Sequence, residues 1–160
     1  MPISLRPSRP EDQDFLFQLY SSTRIQEIAA FGWPAAQQEM FFRMQFTAQQ
    51  RWYESTYAKS DHQIVEQDGQ PIGRLMVFRE STLGEKGSAL LVDISLLAEH
   101  RGRGIGGELL RDLLQQCRRD GIPLKLQVLK TNPALRLYER LGFLRTGEDQ
   151  MYIQMECRPD

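Results

Sequence analysis

The sequence predicts an α/β fold built on a mixed central β-sheet with helices on both faces, and three observations carry that prediction. Residues 89–97 form a strongly apolar run with one charged interruption, Asp93, as expected of an interior strand covered on both sides. The run passes through a basic, glycine-rich loop into an amphipathic segment, residues 104–120, with Ile105, Leu109, Leu110, Leu113, Leu114 and Cys117 on one face. A further strand pattern at residues 124–129 follows, so strand, helix and strand succeed one another as in a parallel crossover.

The remaining elements follow in order. Residues 3–6 read as a short first strand, after which Ser8-Arg9-Pro10-Glu11 supplies a capping box with proline in the first helical turn. Phe15, Leu16, Leu19 and Tyr20 recur at helical spacing, and that helix should break before Phe31-Gly32-Trp33-Pro34. Pro34 opens a second, long helix to about Tyr57. Residues 62–67 and 71–80 flank Asp68-Gly69, a hairpin signal, and residues 84–87 make the next turn. Gly121 ends the central amphipathic helix. Asn132 is placed to cap a further helix with Pro133 at its first position and Gly142 at its end. Residues 143–146 and 151–157 read as a final strand pair.

At 160 residues the chain suits one domain, residues 1–160, with a single core. A formal net charge of −1 provides no global basic field, so nucleic acid is not an expected partner. No apolar run approaches the roughly 20 residues that span a bilayer, and the N-terminus lacks the apolar stretch of a secretory signal. A cytoplasmic protein without a membrane partner is the expectation. Cys117 and Cys157 lack metal-ligand spacing and read as small apolar residues in a reducing compartment. His62 and His100 are too isolated to suggest a metal site or a triad, so no metal is expected.

The loop after the apolar strand reads Arg101-Gly102-Arg103-Gly104-Ile105-Gly106-Gly107. The first amides of a helix lack intrahelical partners and face outward, where the peptide dipoles favour negative charge. Glycines at 102, 104, 106 and 107 let a diphosphate approach the backbone, and Arg101 and Arg103 add charge suited to phosphate oxygens. Gly102, Gly104 and Gly107 also satisfy the G-x-G-x-x-G spacing of dinucleotide-binding folds. A dinucleotide fold wants that loop after the first strand and an acidic residue near the end of the next one. Here the loop lies past mid-chain and the next strand runs into Lys130.

Read instead as R-x-x-G-x-G through Arg101, Gly104 and Gly106, the loop resembles that of the GNAT superfamily of acetyl-CoA-dependent N-acetyltransferases. Asn132-Pro133-Ala134, followed by Tyr138-Glu139-Arg140-Leu141-Gly142-Phe143, resembles the family's second hallmark, an Asn-x-Ala cap and a helix ending in Tyr-Glu-x-Leu-Gly-Phe. The interval from Asn132 to Tyr138 is one residue shorter than in many members. The resemblance is close over residues 88–157 and extends to a common bacterial-type subgroup without a fixed substrate.

What the resemblance implies is an acyl donor, acetyl-CoA, held where two parallel strands splay apart. Backbone groups around Ile94, Ser95 and Leu96 would hold the pantetheine arm, residues 101–107 the diphosphate, and Asn132 the donor or its pocket. Tyr138 would protonate the departing thiolate. Asp93, costly to bury bare, is the candidate general base or the group that binds the amine as a cation. Arg74 either binds a substrate carboxylate or, more simply, sits on a solvated sheet edge. The acceptor cleft is expected along the first two helices, with Glu27, Phe31, Trp33, Gln45, Gln49 and Tyr53, although that second helix is apolar enough to meet a second subunit. A monomer or homodimer acting on a primary amine of a small molecule or peptide is the implied enzyme. The rival from another class is a non-catalytic acyl-CoA-binding regulatory module, which needs the loop but neither Tyr138 nor Asp93.

Overall fold

The computed structural model describes residues 2–80 and 87–159, with the side chain of Glu27 outside the description; the turn expected at residues 84–87 falls almost wholly outside it. Among the described residues, seven strands and four α-helices follow one another as β1 (Ile3–Pro7), α1 (Gln13–Ala29), α2 (Ala35–Thr56), β2 (Asp61–Gln67), β3 (Gln70–Glu80), β4 (Ser88–Leu96), α3 (Ile105–Asp120), β5 (Leu124–Leu129), α4 (Leu135–Arg140), β6 (Leu144–Glu148) and β7 (Tyr152–Cys157). This is the order the periodicities predict. The sheet order is β1-β2-β3-β4-β5-β7-β6, and the sheet is mixed, with β4 and β5 parallel and β1–β2, β5–β7 and β6–β7 antiparallel. Among the described residues no helix is long and apolar enough to cross a membrane.

The chain divides into two compact units, and strands β3 and β4 each contribute to both. One unit comprises residues up to Leu75 together with Ile94–Arg101. Its core gathers Leu16 and Tyr20 of α1, Phe46 of α2 and Ile64 of β2, with Phe15 and Phe17 against them. Tyr20 and Phe17 both meet the Phe46 ring edge-on, at 5.7 and 5.6 Å between centroids. The entry to α1 differs from the expected Ser8–Glu11 box. Ser8 still pairs with β2 through its N–H to the His62 carbonyl, so the cap moves on one residue and the Asp12 carboxylate accepts the Arg9 N–H at 2.7 Å. Arg6 fixes that carboxylate with two hydrogen bonds of 2.8 and 2.9 Å and also reaches Glu66. The guanidinium beside it holds the Asp12 carboxyl below its ordinary range.

The other unit comprises Met76–Asp93 and Gly102 onward. Its central helix, α3, buries the expected stripe from Ile105 to Cys117 and ends at Gly121. Leu124, Leu126 and Val128 alternate inward along β5, and Ile153, Met155 and Cys157 along β7. Both cysteines are free and buried, and burial pushes the Cys117 thiol up. The start of α4 lies later than expected. Asn132 accepts the Ala134 N–H on its side chain at 2.9 Å and the Leu135 N–H on its carbonyl, so it caps a turn that precedes the helix.

Candidate active site

The end of β4 sets out the first part of the site. Leu97 donates its N–H to the Ile72 carbonyl at 2.8 Å. Because strand residues alternate, Ser95 and Leu97 turn their backbone groups towards β3, whereas Ile94 and Leu96 turn theirs the opposite way. Gly73 permits the close approach of the two strands, since a Cβ there would strike the Ser95 carbonyl oxygen and the Leu96 side chain. The parallel β4–β5 ladder pairs Ala89–Leu91 with Leu124–Leu126, although both strands continue past those residues. Arg101 closes the strand end by donating Nε–H to the Leu96 carbonyl at 2.8 Å. That arginine therefore braces β4 as well as contributing charge.

The loop then turns into α3. Gly104 is the N-cap at φ 83°, a left-handed conformation that a β-branched residue would resist. Glu108 is the first residue to donate back into the helix, to the Gly104 carbonyl at 3.0 Å, leaving the amides of Ile105, Gly106 and Gly107 as the unsatisfied first turn. Among the described residues nothing lies within 4 Å of where a side chain would stand on Gly102, Gly104 or Gly106, their chain neighbours aside. Gly107 differs: it is buried, and the Arg111 guanidinium stands 3.4 Å from where its Cβ would be, an ordinary van der Waals contact. Arg103 is exposed beside the open glycines. An accessible row of amides at the positive end of a helix, flanked by arginines, fits a diphosphate.

Tyr138, at the core-facing side of α4, is 6% exposed, and its ring meets Phe143 edge-on at 5.7 Å. Burial first, and the negative charge of Asp93 second, push the phenol up to about 12. The structure thus brings the two expected catalytic residues within electrostatic reach of each other. Asp93 itself is half-buried on β4. The phenol keeps its proton throughout the neutral range, the state a proton donor needs.

The expected acceptor residues do not form one cluster. Arg74 departs from the sheet-edge reading: it is only 2% exposed, because β3 lies between β2 and β4, and its guanidinium sits 5.4 Å above the Tyr53 ring of α2. Tyr53 also belongs to an aromatic group with Trp52 and Tyr57. Gln49, one turn back, is half-buried, and Gln45 is exposed, its Oε1 accepting from the Tyr20 hydroxyl at 3.4 Å. Trp33 stands at the other end of α2, roughly 30 Å along the helix from Tyr53. There it packs at 5.3 Å against both Phe31 and Phe41. Among the described residues no cluster of three or more His, Cys, Asp or Glu is placed to hold a metal. Gly73 is the residue the sequence reading passes over; a glycine inside an apolar strand is itself a sign of close backbone approach.

A family model described as the acetyltransferase (GNAT) family matches residues 22–143, a segment that contains β4, the glycine loop, Asn132 and Tyr138. The chain belongs to the GNAT acetyltransferase family. A probable N-acetyltransferase family 8 member 5 from Mus musculus is 32% identical over 90 residues, 53% of this chain and 39% of that protein. The mycothiol acetyltransferase of Brachybacterium faecium is 29% identical over 103 residues, 63% of this chain and 31% of that protein. The GNAT chain therefore spans well under half the length of either relative. Its fold is that of the PaiA N-acetyltransferase of Thermoplasma acidophilum, whose crystal structure is a complex with coenzyme A, at a TM-score of 0.72, 19% identity and 99% of each chain covered.

Proposed function

We propose that residues 1–160 act as one GNAT domain and an N-acetyltransferase, moving acetyl from acetyl-CoA to a primary amine of a small molecule or peptide by direct attack on the thioester. The observation that carries this reading is the buried Tyr138 phenol held neutral near the charge of Asp93, which a module that only bound acyl-CoA would not need. In this reading the amides of Ile105–Gly107, with Arg101 and Arg103, hold the diphosphate. Backbone groups of Ile94, Ser95 and Leu96 hold the pantetheine and thioester, and Asn132 borders the donor. Arg74, with Gln45 and Gln49, faces the acceptor, and Trp33, at the far end of α2, stands apart from them.

The chemistry assigns a task to each polar group. Asp93 takes the proton that the amine nitrogen sheds as its lone pair forms the new C–N bond. Tyr138 donates its hydroxyl hydrogen to the sulfur as the C–S bond breaks. A phenol at about 12 is a weaker acid than a thiol near 8.5, so early transfer to sulfur is uphill by several kcal/mol. The hydroxyl therefore acts first as a hydrogen-bond donor to the developing thiolate, and transfer completes as the product thiol forms. Asp93 then returns its proton to Tyr138, directly or through water, and the products are an amide and free thiol.

The test is thiol release from acetyl-CoA by the purified protein across amino acids, polyamines, aminoglycosides and peptides, with Tyr138→Phe as the comparison. Turnover with one acceptor class, falling about 100-fold in the variant at unchanged donor affinity, is the expected result. Equal turnover in the variant would remove Tyr138 from the mechanism. Donor binding with no thiol release for any acceptor would favour the binding module.

A further inference from the structure

α4 is six residues long, well short of the roughly 12 that a helix needs to persist on local bonds alone. What fixes it must therefore lie at its ends or in the core. Its N-terminal end is weakly held: Ala134 stands at the N-cap, no side chain caps the helix there, and the Asn132 side chain serves the turn before it. The C-terminal end is different. Gly142 donates its N–H to the Glu139 carbonyl and Phe143 donates its own to the Tyr138 carbonyl, each at 3.1 Å. Gly142 takes the left-handed φ, 102°, that this pair of bonds requires. The Tyr138 carbonyl also accepts the Leu141 N–H at 3.1 Å. A cap of this kind is completed by an apolar contact between the residue after the glycine and the residue five before it. Here these are Phe143 and Tyr138, whose rings meet edge-on. Tyr138 is the one buried residue of α4, and Phe143 is 2% exposed.

We propose, on the reading of Tyr138 as the proton donor to sulfur, that Phe143 is a positioning residue for acetyl transfer: with Gly142 it fixes the Tyr138 phenol from the C-terminal end of α4. Two N–H donors hold the main chain of Tyr138 and the Phe143 ring holds its side chain, so both are referred to the same short turn. A tyrosine has only two side-chain torsions, and packing against a buried ring removes most of the freedom they allow. The hydroxyl is thereby oriented before acetyl-CoA binds, which lowers the barrier by ordering paid for in folding. The same geometry accounts for the short interval from Asn132 to Tyr138. That interval lies on the side of α4 that does not set the phenol. The interval from Tyr138 to Phe143, which does, matches the hallmark Tyr-Glu-x-Leu-Gly-Phe in full.

The test compares Phe143→Leu, Gly142→Ala and Ile64→Val with the wild type and Tyr138→Phe. Thiol release from acetyl-CoA, with acceptor amines of the four classes above, gives kcat, and acetyl-CoA binding gives the donor Kd. Phenolate absorbance read just after a pH jump, before the fold responds, gives the Tyr138 midpoint. Phe143→Leu keeps an apolar side chain but frees the phenol, so kcat should fall about tenfold while donor affinity stays within about twofold. Water admitted beside the phenol should bring its midpoint down from about 12 towards the ordinary 10. Gly142→Ala keeps both rings and strains only the turn, and it should lower kcat about threefold. Ile64→Val loosens the fully buried core of the other unit and should move neither kcat nor the midpoint. Phe143→Leu with the wild-type kcat and midpoint, or Ile64→Val lowering both as much, would overturn the proposal and leave Tyr138 as the proton donor. Tyr138→Phe turning over at the wild-type rate, or a wild type that turns over none of the amines, would overturn the proton-donor reading and the positioning role with it.

Discussion

Helices α2 and α3 make opposite uses of their length. α3, with 16 residues, buries one continuous apolar stripe and leaves a first turn of free amides. α2, with 22 residues, buries only Phe42, Phe46 and Tyr53 and leaves Met40 and Met44 about two-thirds exposed. In the proposed reading the first is a helix whose function is written in its backbone, so small residues at its start and a leucine stripe behind them suffice. The second would work through side chains, and no general rule of spacing says which molecule those side chains suit. Donor recognition and acceptor recognition differ in that physical sense, and the difference decides how much of each a sequence displays.

The largest test of this contrast is a matched pair of truncations. Leu110→Ala removes a side chain only 1% exposed and should cost about 2–5 kcal/mol in urea unfolding. Met44→Ala removes one 68% exposed and should stay within about 0.5 kcal/mol. A Met44→Ala cost in the Leu110 range would mean that the outer face of α2 is covered in solution, and the protein's sedimentation would then change with the substitution.

Gly73→Ala gives a smaller effect in a more telling place. The methyl group meets backbone, the Ser95 carbonyl, which cannot swing aside as a side-chain end can. A cost of about 1–3 kcal/mol is expected. The strain falls on Ser95 and Leu96, so donor affinity should fall with stability. Lost stability at unchanged donor affinity would separate the end of β4 from donor binding.

The order of elements was legible because each is marked locally: alternation along β5 and β7, the leucine stripe of α3, Pro34 before α2, Gly121 after α3. The open glycine turn before α3 was legible for the same reason, since Gly102, Gly104 and Gly106 are contiguous with it. The misreadings have non-local causes. Ser8 lost the cap because its backbone is committed to His62, and Asp12 gained it because Arg6 and Arg9 converge there. Arg74 stood between two readings, binding a substrate carboxylate and sitting on a solvated sheet edge, yet a lone arginine between Gly73 and the apolar run from Leu75 to Val77 is better evidence of an interior strand. The electrostatic pairing of Asp93 with Tyr138, residues far apart in the chain, has no local signature at all.

That pairing sets the smallest expected effect. Because burial and Asp93 both favour the neutral phenol, its folded-state value lies above the ordinary 10, at about 12. The stability this contributes is therefore complete below pH 10 and is lost as pH rises from 10 through about 12. Phenolate absorbance, taken as the difference between wild type and Tyr138→Phe, isolates this group from the other four of the five tyrosines. In an Asp93→Asn background the midpoint should move down yet stay above 10, since burial is the larger cause and survives the substitution. A midpoint unmoved by Asp93→Asn would mean that the carboxylate does not act on the hydroxyl, and the return of the proton from Asp93 to Tyr138 would lose its route.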